Sequence, residues 1–184
     1  MRERFQSGWT WAFFTLLLLS ISGSAWSASA FEIDTRVDAA LDRFVDEVEG
    51  GDRFLEAAEG VLVFPKVLKV GVGIGGETGE GALRVGGETV QYYRTSAGSI
   101  GLQLGAQSKA IFLLFMSEDS LAQFRTSNGW KIGGDASVNL IKVGAAGAVD
   151  TQSIEDPIIG FVLTNKGLMY NLTLEGTKVS PIDR

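Results

Sequence analysis

The side chains whose types and spacing could do chemistry are Gly71-Val72-Gly73-Ile74-Gly75-Gly76, the pair Glu77 and Glu80, Asp135, and the cations Lys66 and Lys69. The glycine run satisfies G-x-G-x-x-G, with Glu88 at a distance suited to a ribose hydroxyl. A dinucleotide site also needs a helix opening directly after the glycines, so that the pyrophosphate meets a helix N-terminus. Here Glu77-Thr78-Gly79-Glu80-Gly81 reads as a turn into another strand, which excludes that use. Glu77 and Glu80 could act as a carboxylate pair on a glycoside or as oxygen ligands for calcium. Three residues apart among glycines, they read instead as a solvated hairpin tip. Asp135 lies in Gly134-Asp135-Ala136-Ser137-Val138 and is placed to accept backbone hydrogen bonds in a turn before a strand. Lys66 and Lys69 flank the start of a glycine-rich strand and are candidates for phosphate contact. Their spacing puts them on opposite faces of a regular strand, so one ligand reaches both only across a bulge or a strand end.

The chain contains neither histidine nor cysteine. That removes Ser-His-Asp and Cys-His nucleophiles, disulfides, zinc fingers and every thiolate or imidazole metal site. A general base near neutral pH would then have to be a strongly shifted carboxylate or lysine. The expectation is a protein that is not an enzyme and carries no cofactor or metal.

The elements that position these residues fall into two parts. Residues 31–59 read as helical: a first helix from about Arg36 to Glu49, capped by Asp34 or Thr35 and stopped by Gly50-Gly51, then a short one capped by Asp52. Val37, Leu41, Phe44, Val45 and Val48 form the apolar stripe of the first helix. Asp38, Asp42, Asp46 and Glu49 lie on one flank, with Arg36 and Arg43 beside Glu47 on the other. From 60 to 184 the pattern is short apolar runs broken by glycine, read as strands near 61–64, 67–75, 81–85, 89–94, 99–104, 110–116, 136–141, 143–149, 158–164, 168–174 and 178–180. Ile158 to Thr164 should pair with Leu168 to Leu174 through Asn165-Lys166-Gly167, with glycine at a positive φ. One inserted helix, Glu118 to Arg125, is capped by Ser117 and turns Leu121 and Phe124 inward. So many short strands do not fit one flat sheet. The fold class expected is α+β: a strongly bent, mostly antiparallel, glycine-rich sheet, barrel- or sandwich-like, with N-terminal amphipathic helices and one inserted helix.

Residues 1–30 read as a signal peptide, with Arg2 and Arg4 before an apolar stretch from Trp11 to Ile21 and small residues ending in Ala28-Ser29-Ala30. The apolar part is about 11 residues, short of the roughly 20 that span a bilayer. Cleavage is expected near Ala30, giving an exported, periplasmic or secreted protein; retention as an anchor is the alternative. The net charge of the whole chain is -6, and the acid excess after residue 30 is concentrated between Glu32 and Glu59, where ten acids face three arginines. Nucleic acid is therefore not an expected partner.

A series of short motifs runs along the chain: Val63-Phe64-Pro65-Lys66; Gly71 to Gly81; Gly101-Leu102-Gln103-Leu104-Gly105-Ala106-Gln107; Gly133-Gly134-Asp135-Ala136-Ser137-Val138; and Lys166-Gly167-Leu168 followed by Leu174-Glu175-Gly176. In order and spacing, over roughly Ala57 to Ile182, they resemble the SYLF family, also called the Ysc84 actin-binding domain. That family's eukaryotic members bind phosphoinositides and in some cases actin, and engage lipid through an amphipathic helix at the start of the domain. The resemblance implies a lipid-binding module in which Lys66, Lys69, Arg36 and Arg43 contact an anionic phospholipid or phosphoinositide-like head group at a membrane surface. The chain departs from the family in its acidic helix and in carrying Gln91-Tyr92-Tyr93-Arg94-Thr95-Ser96 where eukaryotic relatives have a Trp-Ser-x-Pro type of sequence. Actin would not share a compartment with an exported protein and is not an expected partner. The alternative is an envelope protein that binds another protein or itself without lipid.

Overall fold

The computed structural model of the protein describes residues 28–101, 107–141, 155–165, 167–168 and 174–184. Helices α1 (Ala30–Glu47) and α2 (Gly51–Ala57) precede β1 (Gly60–Val85), β2 (Glu88–Gly101) and β3 (Gln107–Phe115). Helix α3 (Glu118–Thr126) follows, then β4 (Trp130–Lys131), β5 (Asn139–Leu140), β6 (Ile158–Thr164), β7 (Gly167–Leu168) and β8 (Lys178–Ile182). The strands form one sheet in the order β4-β8-β2-β1-β3-β6-β5, with β7 on β6. Every strand pair is antiparallel except β5 with β6. The architecture is α+β: a strongly curled, mostly antiparallel half-barrel with three helices among the described residues.

The sheet buries both faces. Val61, Val63, Ala82, Ala110, Phe112, Ile159 and Phe161 pack under α1 and α2 against Ile33, Val37, Phe44 and Phe54. Leu62, Phe64, Val67, Leu83, Ile111, Phe115 and Val162 pack on the α3 side with Leu121, Phe124 and Trp130. Period-two alternation along each strand makes this possible. Phe44 anchors α1, its ring centroid 4.8 Å from Phe112 and 4.9 Å, edge-on, from Phe161. Phe124 does the same for α3 against Phe115 at 4.8 Å and Trp130 at 5.2 Å. Such pairs add about 0.5–1.5 kcal/mol beyond the area they bury.

Several expectations change. The strands read at 89–94 and 99–104 join in β2 as far as Gly101, and α2 starts at Gly51 after Gly50, in the left-handed region, so Asp52 lies in its first turn and does not cap it. Residues 61–85, read as three strands, fall within the continuous 26-residue β1. Glu77 to Gly81, read as a turn and hairpin tip, lie mid-strand opposite Ala97 to Tyr93 on β2; the tip is Gly86-Gly87, with φ of 58° and 86°. The bend needed within β1 is made without breaking it, because Gly79 and Gly81 let one half of the strand cross the other. A Cβ on Gly81 would stand 2.0 Å from the Val63 carbonyl oxygen, and one on Gly79 would stand 2.6 Å from that of Lys66. Finally, α1 begins at Ala30 and not Arg36, and Ser29 caps it by accepting from the Glu32 N–H at 3.2 Å. Asp34 does not cap, because its carboxylate accepts from Tyr92 and Thr89, both at 2.7 Å.

The β6-to-β7 turn has Gly167 at φ 96°, as its sequence predicts, and α3 carries the Ser117 cap and buried Leu121 and Phe124. The strand expected at 143–149 and most of that at 168–174 lie outside the described residues.

Candidate functional site

A cleft of about 340 Å³ opens where α1 crosses the edges of β1, β3 and β6. Arg36, Ala39, Ala40 and Arg43 form its helical wall; Pro65, Lys66, Ser108, Lys109, Ala110, Phe112, Leu163 and Asn165 form the rest. The lining contains four cationic residues and no carboxylate, in a protein whose net charge is -6.

Each cation is placed by a local feature. Arg36 and Arg43 are seven residues apart, about two helical turns, so they share a flank of α1. Lys66 owes its direction to a β-bulge: Phe64 and Val67 are three residues apart, whereas their partners Ile111 and Lys109 are two apart. Phe64 and Val67 therefore share the α3 face, and Pro65 and Lys66 are turned together toward α1.

The same register separates Lys69 from Lys66. The bulge lies before Val67, so alternation resumes and Lys69 stands on the Val67 face. Its Nζ lies 3.9 Å from Glu77 Oε1. Lys109 pairs with Val67 across the sheet and sends its Nζ to Glu77 Oε2 at 2.6 Å, although the residue also borders the cleft. Of the four cations expected at a lipid head group, the structure brings Arg36, Arg43 and Lys66 to one cleft and places Lys69 elsewhere.

The arginines are held by exchangeable partners. Arg36 Nη2 meets Glu32 Oε1 at 2.5 Å, with both side chains 48% exposed. Arg43 bonds Glu47 through Nε at 2.6 Å and Nη2 at 3.1 Å, and also donates to the Thr164 carbonyl. Exposed ion pairs of this kind contribute about 0–1 kcal/mol, so an incoming anion displaces the glutamates at small cost. Among the described residues, Lys66 has no carboxylate partner.

The opposite flank of α1 is clasped to the sheet. Arg84 Nη2 lies 2.7 Å from Asp38 Oδ1 and 3.5 Å from Asp34 Oδ1, and the Tyr92 hydroxyl donates to Asp34 Oδ2. Burial, and then that hydrogen bond, push the Tyr92 phenol above its ordinary value. Asp38, which reads from sequence as part of the acidic flank, and Asp34, which reads as a cap, thus serve as the helix's attachment. Sequence reasoning missed Arg84 and Lys109 because nothing local marks their partners, 46 and 32 residues away.

The remaining carboxylates also have partners. Glu80 is held by Arg94 at 2.7 Å and Arg184 at 2.5 Å. Burial alone would raise its pKa, but the hydrogen bonds and charges of both arginines outweigh that and hold it below the ordinary value. Glu77 and Glu80 thus engage different cations. Asp135 accepts the Lys131 N–H at 2.6 Å, the turn role its motif predicts. The glycines from Gly71 to Gly76 lie within β1, with no helix after them.

A second cleft, of about 640 Å³, lies under α3 and is lined by Asp119, Gln123, Phe124, Trp130, Asp135, Ile158 and neighbouring residues, with no lysine or arginine. Among the described residues, no helix is long and apolar enough to cross a membrane and no group of three or more acids is placed to hold a metal ion.

No curated protein matches the chain. Residues 96–183, which carry the β3 and β6 walls of the basic cleft, match the family model Ysc84, described as Las17-binding protein actin regulator. Over that stretch the chain is similar to the Ysc84, or SYLF, family domain.

Proposed function

We propose that the protein is an exported, non-enzymatic SYLF module that binds anionic phospholipid head groups at the cell envelope. The observation that carries this reading is the convergence of Arg36, Arg43 and Lys66 on one cleft without a lining carboxylate. Two arginines and a free ammonium suit a phosphate, the arginines by forked bonds and the lysine as a point charge. The apolar share of the lining, Ala40, Pro65, Phe112 and Leu163, suits the glycerol and first methylenes beside it.

Three cations near an anionic surface supply about 3 kcal/mol, which is millimolar affinity. Stable attachment therefore needs apolar contact as well. Leu68, 36% exposed and two residues from Lys66, and Phe31, 81% exposed at the start of α1, are available for it. Export is supported by the N-terminal sequence, and it would separate the protein from actin, which the family's description names as what is regulated. The absence of histidine and cysteine, and the engagement of Glu77, Glu80 and Asp135 in structural contacts, support binding without catalysis.

The test is flotation of the purified protein with phosphatidylglycerol-containing or purely phosphatidylcholine vesicles at low salt. The protein should rise with the anionic vesicles, and the combined Arg36→Glu, Arg43→Glu, Lys66→Glu variant should stay behind. Absence of the unaltered protein from both vesicle types would overturn the reading.

A further inference from the structure

Ala28 and Ser29 belong to the folded domain. Ser29 has extended backbone (φ -70°, ψ 159°) and caps α1 through its side chain. Its carbonyl accepts from the Ile33 N–H at 3.0 Å, the first turn's own hydrogen bond. Ala28 packs against the cluster that contains Ile33 and Val37. This turn has tertiary work as well: Ile33 is 2% exposed, and Asp34 holds Thr89 and Tyr92.

A cut after Ala30 would remove both Ser29 acceptors and the Ala28 contact. It would also leave the new ammonium of Phe31 within the first turn, at the positive end of the helix, where a cation is disfavoured. The sequence offers small-x-small triplets upstream, Gly23-Ser24-Ala25 and Ala25-Trp26-Ser27, which meet the same requirement as Ala28-Ser29-Ala30. We propose that the leader is removed at one of these upstream triplets, so that Ala28 and Ser29 stay on the mature protein as the cap of α1. A leader endopeptidase would hydrolyse the peptide bond after Ala25 or Ser27. Water adds its hydroxyl to the acyl carbon and a proton to the departing amine, leaving a carboxylate on the leader and an ammonium on Trp26 or Ala28.

The inference rests on export, and its test separates the two. The full chain is expressed in an exporting bacterial host, and the protein recovered outside the cytoplasm is analysed by intact mass and N-terminal sequencing. An N-terminus at Trp26 or Ala28 is expected. Phe31 at the N-terminus would overturn the inference and leave export standing; Met1 at the N-terminus would overturn processing altogether. As a second readout, Ser29→Ala in the exported protein should lower the melting temperature by about 2–4 °C. An unchanged melting temperature would show that Ser29 does not cap the mature helix.

Discussion

Lys66 and Lys69 show how one bulge decides which of two similar side chains can meet a ligand. Their division between faces was legible from spacing alone, since three steps along a pleated strand invert direction. Which of them would meet the arginines was not legible, because it depends on Pro65 and Lys66 sharing a face, a register fact involving β3. Lys66→Ala should weaken binding to anionic vesicles about fivefold, the equivalent of roughly 1 kcal/mol. Lys69→Ala, which removes an ammonium held near Glu77, should leave vesicle binding unchanged; equal losses in a vesicle titration would place the binding surface elsewhere. Glu80 carries a pH dependence of definite sign. Its pKa in the folded state lies below the ordinary 4.5, so its stabilising contribution is full above that value and disappears as pH falls through the folded value. Glu80→Gln should therefore unfold more easily than the parent at neutral pH, with the gap closing below about pH 4.5 in denaturant titrations. Its partners were invisible in the sequence, since Arg184 lies 104 residues away.

At the scale of elements, apolar periodicity predicted α3, β3 and β6 with their inward residues, because local alternation and a serine cap suffice to define them. Reading glycine as punctuation divides β1 into three strands, whereas the structure keeps it whole. Gly79 and Gly81 are not in a turn; they are the places where β1 lies against its own earlier residues with no space for a side chain. Gly81→Ala should destabilise the fold by about 3 kcal/mol, the upper end for overpacking, because backbone carbonyl and not a flexible side chain blocks the Cβ. Gly76→Ala, whose Cβ would approach nothing closer than 3.8 Å, should be tolerated in the same thermal or denaturant measurement. The start of α1 was misplaced for a related reason. Asp34 is a good N-cap in isolation, but Tyr92 and Thr89 compete for its carboxylate, and only the folded sheet brings them there.

For the whole molecule, composition and motif order pointed to the α+β half-barrel and its family, while the basic cleft could not be seen until α1 was docked. The motif resemblance starts near Ala57, whereas the family match covers residues 96–183. Arg36, Arg43 and Lys66 all lie outside the match, so the proposed head-group contacts rest on this chain's own geometry. Because the chain as a whole is acidic, the proposed attraction to an anionic bilayer would be short-ranged and confined to that cleft. Raising ionic strength from about 0.05 M to 0.5 M, which shortens the screening length well below 10 Å, should abolish most vesicle binding. Binding that is indifferent to salt would shift the weight to Leu68 and Phe31.

The position of β8 has a consequence for timing. Residues 178–182 pair with Tyr92 to Ser96 on one side and carry the two-residue β4 on the other, so a late-synthesised segment lies between β2 and the edge strand of the sheet. Until that segment has emerged from the ribosome, the growing polypeptide cannot close its scaffold. Contacts so distant along the chain also form slowly. Under the proposed export, this delay would keep the nascent protein threadable through a secretion channel, with its final topology deferred to the far side.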